Sequence, residues 1–109
     1  MPHWNDTNTG HRRSYELALE FMSKVDKKYL LFLNKDLKTI QMVIKFYSMF
    51  NELEATWKSK LLKHHVSQQE RNLHTRGYGF DDRILEFNSK CAAEIGVAKY
   101  AEVFDLEVY

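Results

Sequence analysis

Cysteine and proline each occur once, at Cys91 and Pro2, and glycine occurs only four times in 109 residues. A lone cysteine excludes an internal disulfide and a cysteine-based zinc site, and it fits a reducing compartment. The scarcity of backbone breakers argues against a sheet built on tight turns and favours long helices. Long apolar runs are also missing. The longest, at 29–33, is far too short to span a bilayer, and the opening MPHWNDTNTGHRR has no apolar signal-peptide core. These absences predict a cytoplasmic protein with no membrane partner, and they leave the Asn5-Asp6-Thr7 glycosylation sequon idle.

Several chemistries are missing as well. There is no glycine-rich phosphate loop, no His-Glu-x-x-His, and no pair of catalytic carboxylates at helical spacing. A terminal copper site at Met-Pro-His needs a deprotonated amide at the second residue, and Pro2 has none. His64, His65, His74 and Cys91 are conceivable metal ligands, but adjacent histidines cannot face one ion from a regular helix and no i, i+4 pair exists. Cys91, His74 and Asp81 or Asp82 could be assembled into a nucleophile, base and orienter, yet no spacing singles them out. The expectation is no enzyme, no metal and no cofactor, with Cys91 a small core residue.

What is present is globular composition: 44% hydrophobic and 28% charged, with seven Phe, six Tyr and two Trp. A flexible polar N-terminus over 1–10 and a single helical domain over 11–109 are expected. Net charge is +1, but residues 1–76 hold 13 Lys and Arg against 8 Asp and Glu, and residues 77–109 hold 3 against 7. That polarity suits an acidic tail packed on a basic body, or head-to-tail contact between copies.

Periodicity predicts an all-α fold: a long antiparallel hairpin, a short capped helix and a C-terminal helix. Tyr15, Ala18, Met22, Val25, Tyr29 and Phe32 place the first helix over 12–33. Asn34 closes it, and Asp36 caps the next. The second helix, over 37–63, carries one seam of Ile40, Val43, Tyr47, Phe50, Leu53, Trp57 and Leu61 and is apolar around roughly two thirds of its circumference. Ser67 and Glu70 read as a capping box for a third helix over 68–75, ended by the loop Gly77-Tyr78-Gly79. Asp81 or Asp82 caps a fourth helix with Ile84, Phe87, Cys91, Ile95 and Ala98 inside, and Gly96 breaks or kinks it. The closing DLEVY alternates like a strand but has no strand to pair with, so it is expected to dock as a tail.

Function follows from the surfaces left over. A helix apolar on two sides calls for a partner, so Val43, Tyr47, Phe50, Leu53, Trp57 and Leu61 are assigned to self-association in a homo-oligomer. The stretch 58–80 offers Lys58, Lys60, Lys63, Arg71, His74, Arg76 and Tyr78 to a partner protein or an anionic ligand. A nucleic-acid-binding regulator using the same cations is the alternative. The plain explanation for the lysines is a helix C-terminus, where the dipole favours positive charge.

Overall fold

The computed structural model describes residues 1–97 and 99–109; the Ala98 assignment lies outside them. The all-α expectation is overturned. Four helices, α1 (Thr9–Ser23), α2 (Glu52–Leu62), α3 (Val66–Arg76) and α4 (Phe80–Ile95), accompany three strands, β1 (Leu30–Asn34), β2 (Phe46–Phe50) and β3 (Tyr100–Val108). The strands form one sheet in the order β1-β3-β2, with β3 in the middle.

Both long helices of the expected hairpin are therefore shorter than predicted, each replaced in part by a strand. The first stops at Ser23, and 30–34 is extended; the second exists only from Glu52 onward. The lost segments are dense in aromatic and β-branched residues (Tyr29, Phe32, Val43, Ile44, Phe46, Tyr47), which pack well on a pleated surface and lose rotamer freedom in a helix. DLEVY, expected to be a docking tail, is the end of the central strand.

The chain packs as two compact units, Met1–Tyr47 with Val103–Tyr109, and Ser48–Glu102. In the first, β1 runs antiparallel to β3 in the register Leu30↔Val108, Phe32↔Leu106, Leu33↔Asp105. Tyr29 and Tyr109 exchange backbone hydrogen bonds of 2.6 and 2.7 Å and extend the ladder to the last residue. Side chains alternate as a strand requires. Leu33, Val103 and Asp105 are buried on one face. On the other, Phe32, Phe46 and Phe104 cluster with ring centroids 5.3 to 6.1 Å apart.

The opening residues, expected to be frayed, are held. Pro2 bridges to Asn34 and Asp6 to Thr39, and His3 and Asp6 are both buried. Asn8 caps α1 by accepting from the Gly10 and His11 amides.

In the second unit α2 and α3 both pack on α4. The Asn51 side chain accepts from the Glu54 amide, and Glu54 reaches back to the Asn51 amide, a complete capping box for α2. The predicted box at Ser67 and Glu70 does not form: α3 starts two residues earlier, with His65 at its cap and no side-chain bond. Gly77 and Gly96 end α3 and α4 with φ of 78° and 69°, a left-handed turn that a Cβ disfavours.

Gly79 matters for a different reason. A Cβ there would lie 2.5 Å from both Gln69 Nε2 and Asp81 Oδ1. Gln69 clamps the start of α4, accepting from the Phe80 amide at 2.8 Å and donating to Asp81 at 3.3 Å. Gly79→Ala pushes this clamp apart. Urea unfolding should show a loss of about 1–2 kcal/mol, the scale of a disrupted buried polar contact, and Gly77→Ala should cost a similar amount with the clamp intact.

Candidate functional site

The second unit holds most of the residues assigned from sequence, and α2 arranges them in an unexpected way. Its inward positions are Ala55, Lys58, Ser59 and Leu62, spaced 3, 4 and 7 apart; Ala55 is buried and the others are half-buried. Its outward stripe is Leu53, Trp57 and Leu61, exposed at 70%, 61% and 62%. Leu53, Trp57 and Leu61 thus share the solvent side with Glu52, Glu54, Thr56 and Lys60, whereas an ordinary surface helix turns its large apolar side chains inward.

The inward polar groups are all used. Lys58 Nζ donates to Asn88 Oδ1 at 2.7 Å and Glu102 Oε1 at 2.5 Å, and lies 5.1 Å from the centre of the Phe50 ring. Ser59 Oγ donates to Asp81 Oδ2 at 2.5 Å, and Lys63 Nζ is 3.9 Å from the same carboxylate. Asp81 is 4% exposed. Burial alone would raise its carboxyl; the hydrogen bonds from Ser59 and Gln69, the charge of Lys63 and the Asp82 amide outweigh burial and hold it below its ordinary value.

The predicted seam is divided. Leu53, Trp57 and Leu61 share one face of α2. Phe50 ends β2, half-buried and stacked on Tyr100 at 5.2 Å. Val43 and Tyr47 belong to the first unit, Tyr47 on β2 and Val43 in the segment before it. The predicted cations are divided too. Lys58 and Lys63 face carboxylates, and Lys60 lies over Trp57 at 5.4 Å. Arg71, His74 and Arg76 are exposed on α3 with Tyr78 just beyond it, and among the described residues no carboxylate pairs with these three. An open depression of about 460 Å³, lined by Met49, Phe50, Asn51, Glu52, Glu54 and Lys99, lies at the N-terminal end of α2. Cys91 is buried, as expected of a core thiol.

The first unit holds polar groups that sequence reasoning missed. His3 Nε2 lies 3.3 Å from Asp105 Oδ2, and Lys45 Nζ is 3.2 Å from Asp105 Oδ1. Burial pushes Asp105 up, but the Leu106 amide, Lys45 and His3 hold it below its ordinary value. The Tyr15 hydroxyl donates to Glu107 at 2.9 Å; burial, Tyr109 and the Glu107 carboxylate push Tyr15 well up. Asp6, His11 and Asp36 present three possible ligand atoms within 4.8 Å of one another. Their only sequence signal was a polar stretch ahead of α1, since Asp36 lies 25 residues beyond His11.

No protein-family model, curated protein or solved structure matches the chain. No helix among the described residues is long and apolar enough to cross a membrane.

The lowered carboxylates fix a pH dependence. A group whose folded pKa is depressed contributes stability above its unfolded value, near 3.8, and that stability is lost as pH falls through the folded value. Chemical unfolding should therefore show little change from pH 7 to pH 5 and a steep loss below about pH 4. Asp81→Asn should be less stable at pH 7 and should flatten that acid slope.

Proposed function

We propose that this chain is a small binding protein that pairs with a second copy of itself through the outward face of α2. One observation supports this above all: Leu53, Trp57 and Leu61 form a solvent-facing apolar stripe on α2, flanked by the exposed charges Glu54 and Lys60. The charges along α2 favour a second copy as the occupant. Its N-terminal end carries Glu52 and Glu54, and its C-terminal end carries Lys60 and Lys63. In an antiparallel pair centred on Trp57, Leu53 meets Leu61 of the other copy, Glu54 meets Lys60, and the two indoles meet on the axis. The contact is self-complementary, as a two-fold interface must be.

A second surface is assigned to the partner that the pair serves. Arg71, His74 and Arg76, together with Tyr78, offer cationic and aromatic contacts to an acidic protein surface or anionic ligand. We favour this over nucleic-acid binding because Lys58 and Lys63 are already engaged with carboxylates of their own chain, which thins the basic field a phosphate backbone needs.

Light scattering over a concentration series tests the pairing. Wild type should shift from about 13 kDa toward twice that mass as concentration rises. Trp57→Ala removes two side chains at the axis and should shift the midpoint by a hot-spot value of about 2 kcal/mol or more. Glu54→Lys and Lys60→Glu should each weaken pairing about tenfold, from two exposed ion pairs lost per dimer. The double variant should restore it, because the exchanged charges again face each other. A wild-type chain that stays monomeric at every concentration would sink the proposal, as would a double variant no better than either single one. Nucleic acid that co-elutes at low salt and leaves at high salt would transfer the basic surface to the alternative reading.

A further inference from the structure

We propose that Asp6, His11 and Asp36 hold a divalent transition-metal ion, with zinc the best-suited probe. The three ligands come from separate parts of the first unit: Asp6 precedes α1, His11 lies in its first turn, and Asp36 follows β1. His11 Nδ1 is 3.1 Å from Asp6 Oδ2 and 3.3 Å from Asp36 Oδ2. Two ligand atoms about 2.1 Å from one ion stand about 3.0 Å apart at a right angle and about 3.4 Å apart at the tetrahedral angle. The two spacings at His11 fall in that range.

His11 Nδ1 is shut off from water and has no hydrogen-bond partner of good geometry, although both oxygens lie within ion-pair range. A buried ring nitrogen left without a partner costs free energy. An ion placed between the three atoms removes that cost.

The carboxylates are oriented for the same purpose. Each uses Oδ1 to accept a backbone amide at 2.7 Å, from Asn8 to Asp6 and from Lys38 to Asp36, and each turns Oδ2 toward the imidazole. Such outer contacts fix ligand direction at metal centres. Thr39 Oγ1 adds a long contact to Asp6 Oδ2 at 3.4 Å. The Arg12 guanidinium is the nearby opposing charge, and it is tied to the Asp6 backbone carbonyl at 2.8 Å rather than to the carboxylate. Two carboxylates and a neutral imidazole give the site a charge opposite to that of a divalent cation. The imidazole selects borderline ions such as zinc, cobalt and nickel over magnesium and calcium, which prefer oxygen alone. The His11 and Asp36 side chains are 30% and 31% exposed. That leaves a solvent-facing side on which water completes the coordination, as at sites that keep an open position.

Isothermal titration of the full chain with zinc chloride tests this, with circular dichroism to confirm that each variant is folded. Wild type should take up one equivalent. His11→Gln and Asp36→Asn should each lose at least about 100-fold in affinity, the upper end of what outer-contact changes alone cause. Asp36 suits the test because it is partly exposed, whereas Asp6 is buried. The triple variant His64→Gln, His65→Gln, His74→Gln should bind as wild type does, and magnesium should not compete. Absence of uptake would overturn the site. So would uptake that survives both ligand variants, uptake lost in the triple-histidine variant, or magnesium binding as tightly as zinc.

Discussion

The three helices of the second unit depend on one buried carboxylate. Asp81 sits in the first turn of α4 and takes bonds from Ser59 on α2 and Gln69 on α3, with Lys63 beyond the end of α2 close by. A charge out of water costs several kcal/mol unless it is paired and hydrogen-bonded. Here nearly every partner comes from a different element, so the helices cannot separate without exposing that cost. The arrangement also sets which face of α2 looks inward. Ser59 must reach Asp81 and Lys58 must reach Asn88 and Glu102, and the helix is rotated accordingly. Leu53, Trp57 and Leu61 are turned outward as the geometric consequence.

The first unit follows the same logic with different chemistry. Asp105 lies on the buried face of β3 opposite Leu33 and is neutralised by His3 and Lys45, one from the first residues and one from the approach to β2. Asp6 is buried beside His11 and Asp36. The chain's opening, read from sequence as a polar tail, is thus tied down by electrostatics rather than by apolar burial. Several of these partners lie far away in sequence, where no local pattern would show them: Asp105 is 102 residues from His3.

That distinction explains what was legible. The existence of α4 was legible, because its signals are local: acidic residues in the first turn and an apolar line at helical spacing; but its cap is Gly79 rather than Asp81 or Asp82, and Gly96 ends it where a kink or a further turn or two was equally readable. The α3 helix and Gly77 were legible for the same reason. The region 24–50 was not. It contains no glycine or proline, and its aromatic and β-branched residues satisfy a three-and-four spacing as readily as they satisfy a strand. DLEVY did read as a strand. It was discounted for want of a partner, and the partners, β1 and β2, had been absorbed into helices. Of the expected self-association seam, Leu53, Trp57 and Leu61 stayed together because they lie within one true helix. Val43 and Tyr47 fell away because the period was extended across a strand. The Asp6, His11 and Asp36 cluster had no periodic signature at all.

The core itself points toward association. Among the described residues its fully buried apolar members are Leu33, Ala55, Cys91, Ala92, Ala101 and Val103, with no Phe, Tyr or Trp. Several bulky side chains are half-buried, such as Phe50, Phe87 and Phe104, and Trp57, Phe21, Phe32, Phe46 and Met49 are exposed. Burial stabilises by roughly 25 cal/mol per Å² of apolar surface, so a core of small residues leaves most of that potential unused within one chain. Buried polar networks specify the arrangement but return little net free energy once desolvation is counted. Pairing along α2 would use part of what remains and would make stability rise with protein concentration, as for any contact that forms only between folded chains. The exposed stripe and the inward carboxylate are then linked: Asp81 orients α2, and that orientation makes the apolar face available to a second copy.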